Sequence, residues 1–350
     1  MAIFTIPHVK INGISACVPK NTIRSEDESV LVGEGAQNFI KMTGIEQRRK
    51  ADDMTCSSDL CVASAEKILA DLKWDRRDID LLVFVTQTPD YPIPATACTI
   101  QRRLELPSSC CAFDINLGCS GWVYGLSVIS ALLSRGLKKG LLLVGDTVLK
   151  FSSKEDKSTY PLFGDAGSAT ALSYEPSASG LSFDLNTDGE GYKAIRIDDG
   201  GYRNPVTKES FVVHERENGI KSNQLQMKLD GMDVFSFGIS RAPESVSNLL
   251  MANKLTEKNI DFFLFHQANM FMNEKIRKKL KLPAEKVPYS INKFGNTSCA
   301  SIPLTMVNNL HAQLISKDLT IVGCGFGVGL SWGSVLFTTE KIIVPELLEI

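Results

Sequence analysis

An internal repeat constrains the fold of this chain more than any other feature. Residues 68–87 read ILADLKWDRRDIDLLVFVTQ, and residues 249–268 read LLMANKLTEKNIDFFLFHQA. A helix end, a charged turn, an Ile-Asp pair and a buried strand follow in the same order, with Ile79-Asp80 matching Ile260-Asp261. Downstream, Asp114-Ile115-Asn116 matches Ser290-Ile291-Asn292, and the strand Leu141 to Gly145 matches Leu319 to Gly323. Unrelated βα units would not agree over three consecutive elements, and the period is far too long for a solenoid. The repeat predicts an α/β protein of two similar halves, residues 1–175 and 176–350, about a pseudo-twofold axis. One charge-poor helix from each half should then lie back to back between two sheets.

The first of those helices belongs to the stretch Phe113 to Leu133, FDINLGCSGWVYGLSVISALL. Cys110 to Ile115 reads as a buried strand, Asn116 to Gly118 as a turn, and Ser120 to Ser134 as a helix without a charge. A helix apolar nearly all round belongs in the middle of a protein. Cys119 sits where strand turns into helix, where unpaired N–H groups and the positive dipole end favour thiolate over thiol. Gly118 and Gly121 let backbone and substrate approach closely. On this stretch alone, a displayed nucleophile and an inert buried thiol both stand open.

Composition narrows the function classes. The 350 residues are 43% hydrophobic and 22% charged, as in a globular protein, and the net charge of −2 offers no field for nucleic acid or an anionic membrane. No uncharged apolar run approaches membrane-spanning length, and the N-terminus MAIFTIPHVK lacks the apolar core of a signal peptide. Nine scattered cysteines without a CxxC pair or a His at ligand spacing argue against a disulfide framework or a metal site, and for a reducing cytoplasm.

The remaining elements follow from periodicity and breakers. His8 to Val18 reads as a strand, Glu26 to Thr43 as a helix closed by Gly44, and Ser58 to Leu72 as an amphipathic helix. Leu81 to Val85, Gly140 to Val144 and Gly167 to Ser173 read as strands, and Thr96 to Leu104 as a helix. The segment Pro89 to Pro94 is too proline-rich for either, and from Pro176 through Tyr202 short strands at most are expected.

The repeat also locates the chemistry. His266 matches Val85 and closes the strand FFLF, at the carboxyl end where α/β sites form. That placement favours a site residue over the satisfied core histidine that a lone His more commonly is. Asn296, in KFGNTSCAS, precedes the second central segment, Ser298 to Leu314. Near the end, GCGFGVGLSWGS (Gly323 to Ser334) runs into a strand rather than a helix, so it is no phosphate loop. Such glycines suit either backbone N–H groups facing a site or a tight strand crossing.

Together, GCSG around Cys119, FGDAGSA (163–169), HQAN (266–269), FGNTS (294–298) and GFGVGLSWGS resemble β-ketoacyl-acyl-carrier-protein synthase III. That family is the initiating condensing enzyme of the thiolase superfamily. The resemblance covers nearly the whole chain. It implies the thiolase-like five-layered αβαβα fold, in agreement with the repeat, and a homodimer. It further implies that Cys119 takes an acyl group from a thioester of coenzyme A or acyl carrier protein, with no metal or cofactor. His266 and Asn296 would then stabilise the enolate from a decarboxylating malonyl thioester, and the N–H groups of Cys119 and Val328 would form the oxyanion hole. Ile93, before Pro94, falls where the family caps the partner's acyl pocket. Lys275, Arg277, Lys278 and Lys279, after HQAN, form a basic cluster suited to an acidic carrier protein, although a solvated helix face is the commoner fate of such a run.

Departures from the family pattern lie at the coenzyme-A grip. Asn38 and Met42 stand where the resemblance implies Trp and Arg, Lys157 replaces a second Arg, and Phe271 replaces a basic carrier contact. An acyltransferase that moves the acyl group from Cys119 to an alcohol or amine is therefore the alternative activity. A non-catalytic partner subunit is a third reading, which intact Cys119, His266 and Asn296 oppose.

Overall fold

A computed structural model describes residues 2–31, 34–216 and 219–350. Its helices run in chain order as α1 (Gly35–Thr43), α2 (Ser57–Leu72), α3 (Thr96–Arg103), α4 (Gly121–Leu133), α5 (Gly231–Ala252), α6 (Met270–Lys279), α7 (Ile291–Phe294) and α8 (Ser301–Ser316). One sheet has the spatial order Leu348–Glu349, Val9–Val18, Ala166–Tyr174, Lys139–Asp146, Leu81–Val85, Cys111–Ile115. The other has the order Ala2–Ile6, Leu181–Thr187, Ser331–Thr339, Leu319–Gly327, Phe262–Phe265.

Four successive strands of each sheet follow one plan. Val9–Val18, Ala166–Tyr174 and Lys139–Asp146 pair antiparallel in turn, and Leu81–Val85 joins the last of them in parallel. Leu181–Thr187, Ser331–Thr339, Leu319–Gly327 and Phe262–Phe265 repeat that order and those senses. Each sheet also takes an edge strand from the far end of the chain: Ala2–Ile6 pairs with Leu181–Thr187, and Leu348–Glu349 pairs with Cys17 and Val18.

Between the sheets lie α4 and α8. Each contacts strands of both sheets, and the main apolar core runs through them, with Trp122, Leu126, Ile129, Leu304 and Leu310 buried. Their freedom from charge follows from this position, since a helix covered on two sides has no face left for water. Outside the first sheet pack α2 and α3, and outside the second pack α5 and α6. The result is the five-layered αβαβα thiolase fold.

Three local readings change, the first at Cys110–Ile115: the strand read as buried forms at Cys111–Ile115 on the edge of its sheet, with Cys111 exposed and the other residues half-buried. The helix expected over Glu26 to Thr43 forms only at Gly35–Thr43, ended as expected by Gly44 at φ +75°; Val32 and Gly33 lie outside the described residues. Upstream, Ser25–Asp27 is a single 3₁₀ turn tied down by tertiary bonds: the Ser25 hydroxyl donates to the Ile45 carbonyl, and Glu28 pairs with Arg48. Leu181–Thr187, expected to be short strand at most, is an interior strand of seven residues. Its alternation hides the burial because Ser182 and Asp184 are covered as fully as Leu181 and Phe183.

The Glu28–Arg48 pair braces the region that carries Asn296. Arg48 is 0% exposed, donates to the Glu28 carboxylate at 2.6 Å and lies 5.0 Å from the Tyr160 ring centroid. Its Cβ lies against Gly164 and Gly295, which leave room for it by having no side chains. Replacing Glu28 with Ala strands a buried guanidinium, so E28A should lose about 3–5 kcal/mol of stability in denaturant unfolding. A variant as stable as the parent would contradict this role.

Candidate active site

Cys119 lies two residues ahead of α4, 8% exposed, at the strand-to-helix junction where the sequence placed it. The strand Leu319–Gly327 passes directly over it. A Cβ on Gly327 would stand 2.7 Å from the Cys119 sulfur, and one on Gly325 would stand 2.8 Å from the Cys119 carbonyl oxygen. Real Cβ atoms do not tolerate such distances, so these glycines serve backbone approach to the thiol. The strand continues through a turn into Ser331–Thr339, and Val328 at the turn lines the same cavity as Cys119.

The charge state differs from the sequence expectation. Burial, with the nearby Asp146 carboxylate adding to it, pushes the Cys119 thiol up to about 12, while the Val328 and Cys119 N–H groups and the Ser298 hydroxyl oppose the shift. Desolvation therefore outweighs the helix N-terminus, and the resting residue is a thiol.

His266 follows the strand Phe262–Phe265 and is 1% exposed. Its N–H donates to the Cys324 carbonyl, and its carbonyl accepts from the Asn273 side chain. Nδ1 lies 2.8 Å from the Ser301 hydroxyl at the start of α8. Burial lowers its pKa to about 3, so the ring is neutral near pH 7. The other residues of HQAN are structural: Gln267 bonds the Phe265 carbonyl and the Ser290 N–H, and Asn269 caps α6 by accepting from the Met272 N–H.

Asn296 stands between α7 and α8. Its N–H donates to the Leu162 carbonyl, and its carbonyl accepts from the Gly164 N–H. Thus the FGDAGSA segment holds the FGNTS segment in place, and Phe163 and Asn296 form an isolated bridge. The side-chain oxygen of Asn296 accepts from the Ser298 N–H at 2.9 Å, which leaves its NH₂ as the group free to donate.

Cys119, His266, Asn296 and Val328 line one narrow cavity of about 40 Å³, with Phe326 and Met227 among its apolar walls. A second hollow shares Gln87, Phe151, Ile195, Met227 and Val328 with it. The sequence reading missed Phe151, Ile195 and Met227, because they come from a loop-rich region without periodicity. It also assigned nothing to Ser298 and Ser301, although Ser298 closes the quoted FGNTS motif.

The peripheral candidates lie elsewhere. Ile93 is 80% exposed and does not line the cavity of its own chain. On α6, Arg277 is engaged internally, donating to Glu274 at 2.8 Å and to the Leu282 carbonyl, and Lys279 donates to the Ile239 carbonyl. Lys275, Lys278 and Lys279 are exposed, and Lys275 lies over the Phe271 ring at 5.3 Å. Phe271 itself stacks on Phe235, and Met42 on α1 is 65% exposed.

Comparison with known proteins adds to this geometry. A family model described as 3-oxoacyl-[acyl-carrier-protein (ACP)] synthase III matches residues 113–189, and its C-terminal counterpart matches residues 250–339. The chain is 33% identical to the β-ketoacyl-[acyl-carrier-protein] synthase III of Geobacillus kaustophilus over 93% of this chain and 97% of that one. With the synthase III of Rhodopirellula baltica it shares 33% identity over 94% and 98% of the two chains. The crystal structure of a 3-oxoacyl-(acyl-carrier protein) synthase from Burkholderia xenovorans superposes with a TM-score of 0.94 at 38% identity, covering 99% of each chain.

The contact between Gly327 and Cys119 generates a direct test. Gly327→Ala should fold, yet it should slow acyl-adduct formation at Cys119 by about 10²-fold or more, because the added methyl displaces the sulfur. Mass spectrometry of the adduct over time reads the effect, and an undiminished rate would show that the strand gives way.

Proposed function

Since the chain belongs to the 3-oxoacyl-[acyl-carrier-protein] synthase III family, we propose that its cavity performs a decarboxylative condensation led by Cys119. The protein is an acyl-transferring condensing enzyme of fatty acid biosynthesis, and acyl carrier protein is its partner. The convergence of Cys119, His266 and Asn296 on one cavity, beside the Val328 N–H, carries the assignment of roles.

In this reading Cys119 attacks an acyl thioester of coenzyme A or carrier protein, and the thiol of the donor departs. The tetrahedral oxyanion is held by the N–H groups of Cys119 and Val328. Malonyl thioester then enters. Neutral His266 and the Asn296 NH₂ donate to its carbonyl oxygen, so that loss of carbon dioxide leaves a stabilised enolate. The enolate carbon attacks the acyl-Cys119 carbonyl and releases the β-ketoacyl product. Two neutral donors suit a site this buried, because a cationic histidine would add a large desolvation cost. No cofactor enters the scheme; the thioesters are substrates.

The repeat units are taken as residues 1–175 and 176–350, supplying Cys119 and the His266–Asn296 pair respectively. A homodimer is also part of the proposal. Its support is the open sheet edge at Cys111–Ile115, only partly covered, together with the exposed Tyr91 and Ile93 nearby in sequence. Carrier docking is assigned to Lys275, Lys278 and Lys279, with Arg277 bracing the helix through Glu274. A cytoplasmic location accords with nine free cysteines. Among the described residues, no helix is long and apolar enough to cross a membrane.

The two half-reactions separate the roles. Cys119→Ala should abolish the acyl adduct, whereas His266→Ala and Asn296→Ala should form it and lose about 10²–10³ in malonyl decarboxylation. Because the His266 pKa is lowered to about 3, decarboxylation by the parent should show no histidine inflection between about pH 5 and about pH 8. Equal loss of both half-reactions in His266→Ala would make His266 a thiol-activating base instead.

Chain length is tested at Ile93, proposed to cap the partner's acyl pocket. Ile93→Phe should shift the preferred donor toward shorter acyl chains and Ile93→Ala toward longer ones, by about 0.8 kcal/mol per methylene. Unchanged kcat/KM profiles in dimeric variants would remove Ile93 from the pocket.

A further inference from the structure

An acyl group carried by Cys119 has little room beside the sulfur, because the cavity there holds about 40 Å³. That cavity adjoins a hollow of about 280 Å³, and the two share Gln87, Phe151, Ile195, Met227 and Val328 as walls. Four of the five are apolar, as suits a hydrocarbon chain. Gln87 is the exception.

The backbone of Gln87 is fixed just beyond the strand Leu81–Val85 by its N–H, which donates to the Asp146 carboxylate at 2.7 Å. Its side chain lies against Gly118, the residue before Cys119. A Cβ on Gly118 would fall 2.4 Å from Gln87 Oε1, 3.1 Å from Gln87 Cδ and 3.3 Å from a Val328 methyl. The missing side chain at Gly118 therefore seats the Gln87 carboxamide in the wall beside the nucleophile. Gln87 is half-buried, and among the described residues no hydrogen bond ties its carboxamide to another group. A carboxamide drawn out of water without a partner costs free energy that an aliphatic side chain in the same wall would not. Further out, Asn116 and Arg196 add polar groups to the hollow. Arg196 is already engaged, since its Nε donates to the Asp198 carboxylate at 2.7 Å.

We propose that the acyl group taken up by Cys119 carries a hydroxyl on its second or third carbon, hydrogen-bonded by the Gln87 carboxamide. A hydroxyl both donates and accepts, and so does a carboxamide, so the two match whichever way the amide is turned. A carboxylate only accepts, and the one cation lining the hollow among the described residues is held by Asp198. The position of the hydroxyl follows from Gly118, whose place next to Cys119 sets the carboxamide beside the first carbons of the chain. Phe151, Ile195 and Met227 hold the carbon skeleton. Gln87 is thus a residue that determines specificity and takes no part in making or breaking bonds.

The inference rests on Cys119 as the acylated residue. The probes are the 2-hydroxybutyryl, 3-hydroxybutyryl, butyryl and succinyl thioesters of N-acetylcysteamine, which carry neither coenzyme A nor carrier protein and so report on the acyl group alone. The readout is the initial rate of adduct formation on Cys119 by mass spectrometry, taken as ratios between donors. In the parent, the better hydroxy donor should lead butyryl by about tenfold, the order that one net hydrogen bond contributes. Succinyl should be slowest. Gln87→Met keeps the length and unbranched shape but not the hydrogen bonds, and it should bring the hydroxybutyryl-to-butyryl ratio to about one or below. A purely structural role would slow all donors together and leave the ratios in place. The proposal is overturned by a parent that takes butyryl as fast as both hydroxy donors, or by a Gln87→Met variant that keeps the preference. A parent that prefers succinyl would assign an anion site and overturn it equally. No adduct from any donor is a different result, and it would remove Cys119 as the nucleophile and this inference with it.

Discussion

The close approach of a side-chain-free strand to the start of α4 is the contact on which the rest of the structure depends. Gly325 and Gly327 let the backbone of the second sheet pass within van der Waals distance of Cys119, just ahead of α4. Because that strand is so near, Val328 at its end lines the same cavity as Cys119. The same strand pairs with Phe262–Phe265, so His266 arrives at the cavity in a fixed register with it. Two charge-poor helices between the sheets make this possible, since their apolar faces set how closely the layers pack.

Burial then sets the electrostatics. It raises the Cys119 thiol, lowers the imidazole of His266 and raises Asp146, so each group is driven toward its neutral form. Charge must therefore develop during reaction rather than stand ready, against N–H and hydroxyl donors fixed beforehand. Hydrogen bonds from backbone rather than from mobile side chains hold most of these donors. Asn296 is anchored at both its N–H and its carbonyl by the Leu162–Gly164 segment, which rests on the buried Arg48.

Much of this was legible in the sequence, for reasons specific to each feature. The repeat foretold two sheets enclosing paired helices because helix ends, turns and buried strands leave periodic marks. Cys119, His266 and Asn296 could be found because each stands at the border of a recognisable element. The thiol's resting state was not legible, since the depth of burial beneath the strand Leu319–Gly327 is a tertiary quantity. Nor was the role of Ser298, whose left-handed backbone has no signature in a residue type that favours turns only weakly. The burial of Asp184 and Arg48 was equally hidden, because polar side chains read as surface until their partners are known.

The most direct measurement of the central claim follows one labelled carbon through a single turnover. The parent enzyme is supplied with an acyl thioester labelled at its carbonyl, together with malonyl-acyl carrier protein, and both the products and carbon dioxide are quantified. A condensing site built from Cys119, His266 and Asn296 predicts the label at the ketone carbon of a β-ketoacyl-carrier product, with one carbon dioxide released per label transferred. Label moved intact to an alcohol or amine, with the malonyl group retained, would contradict that account.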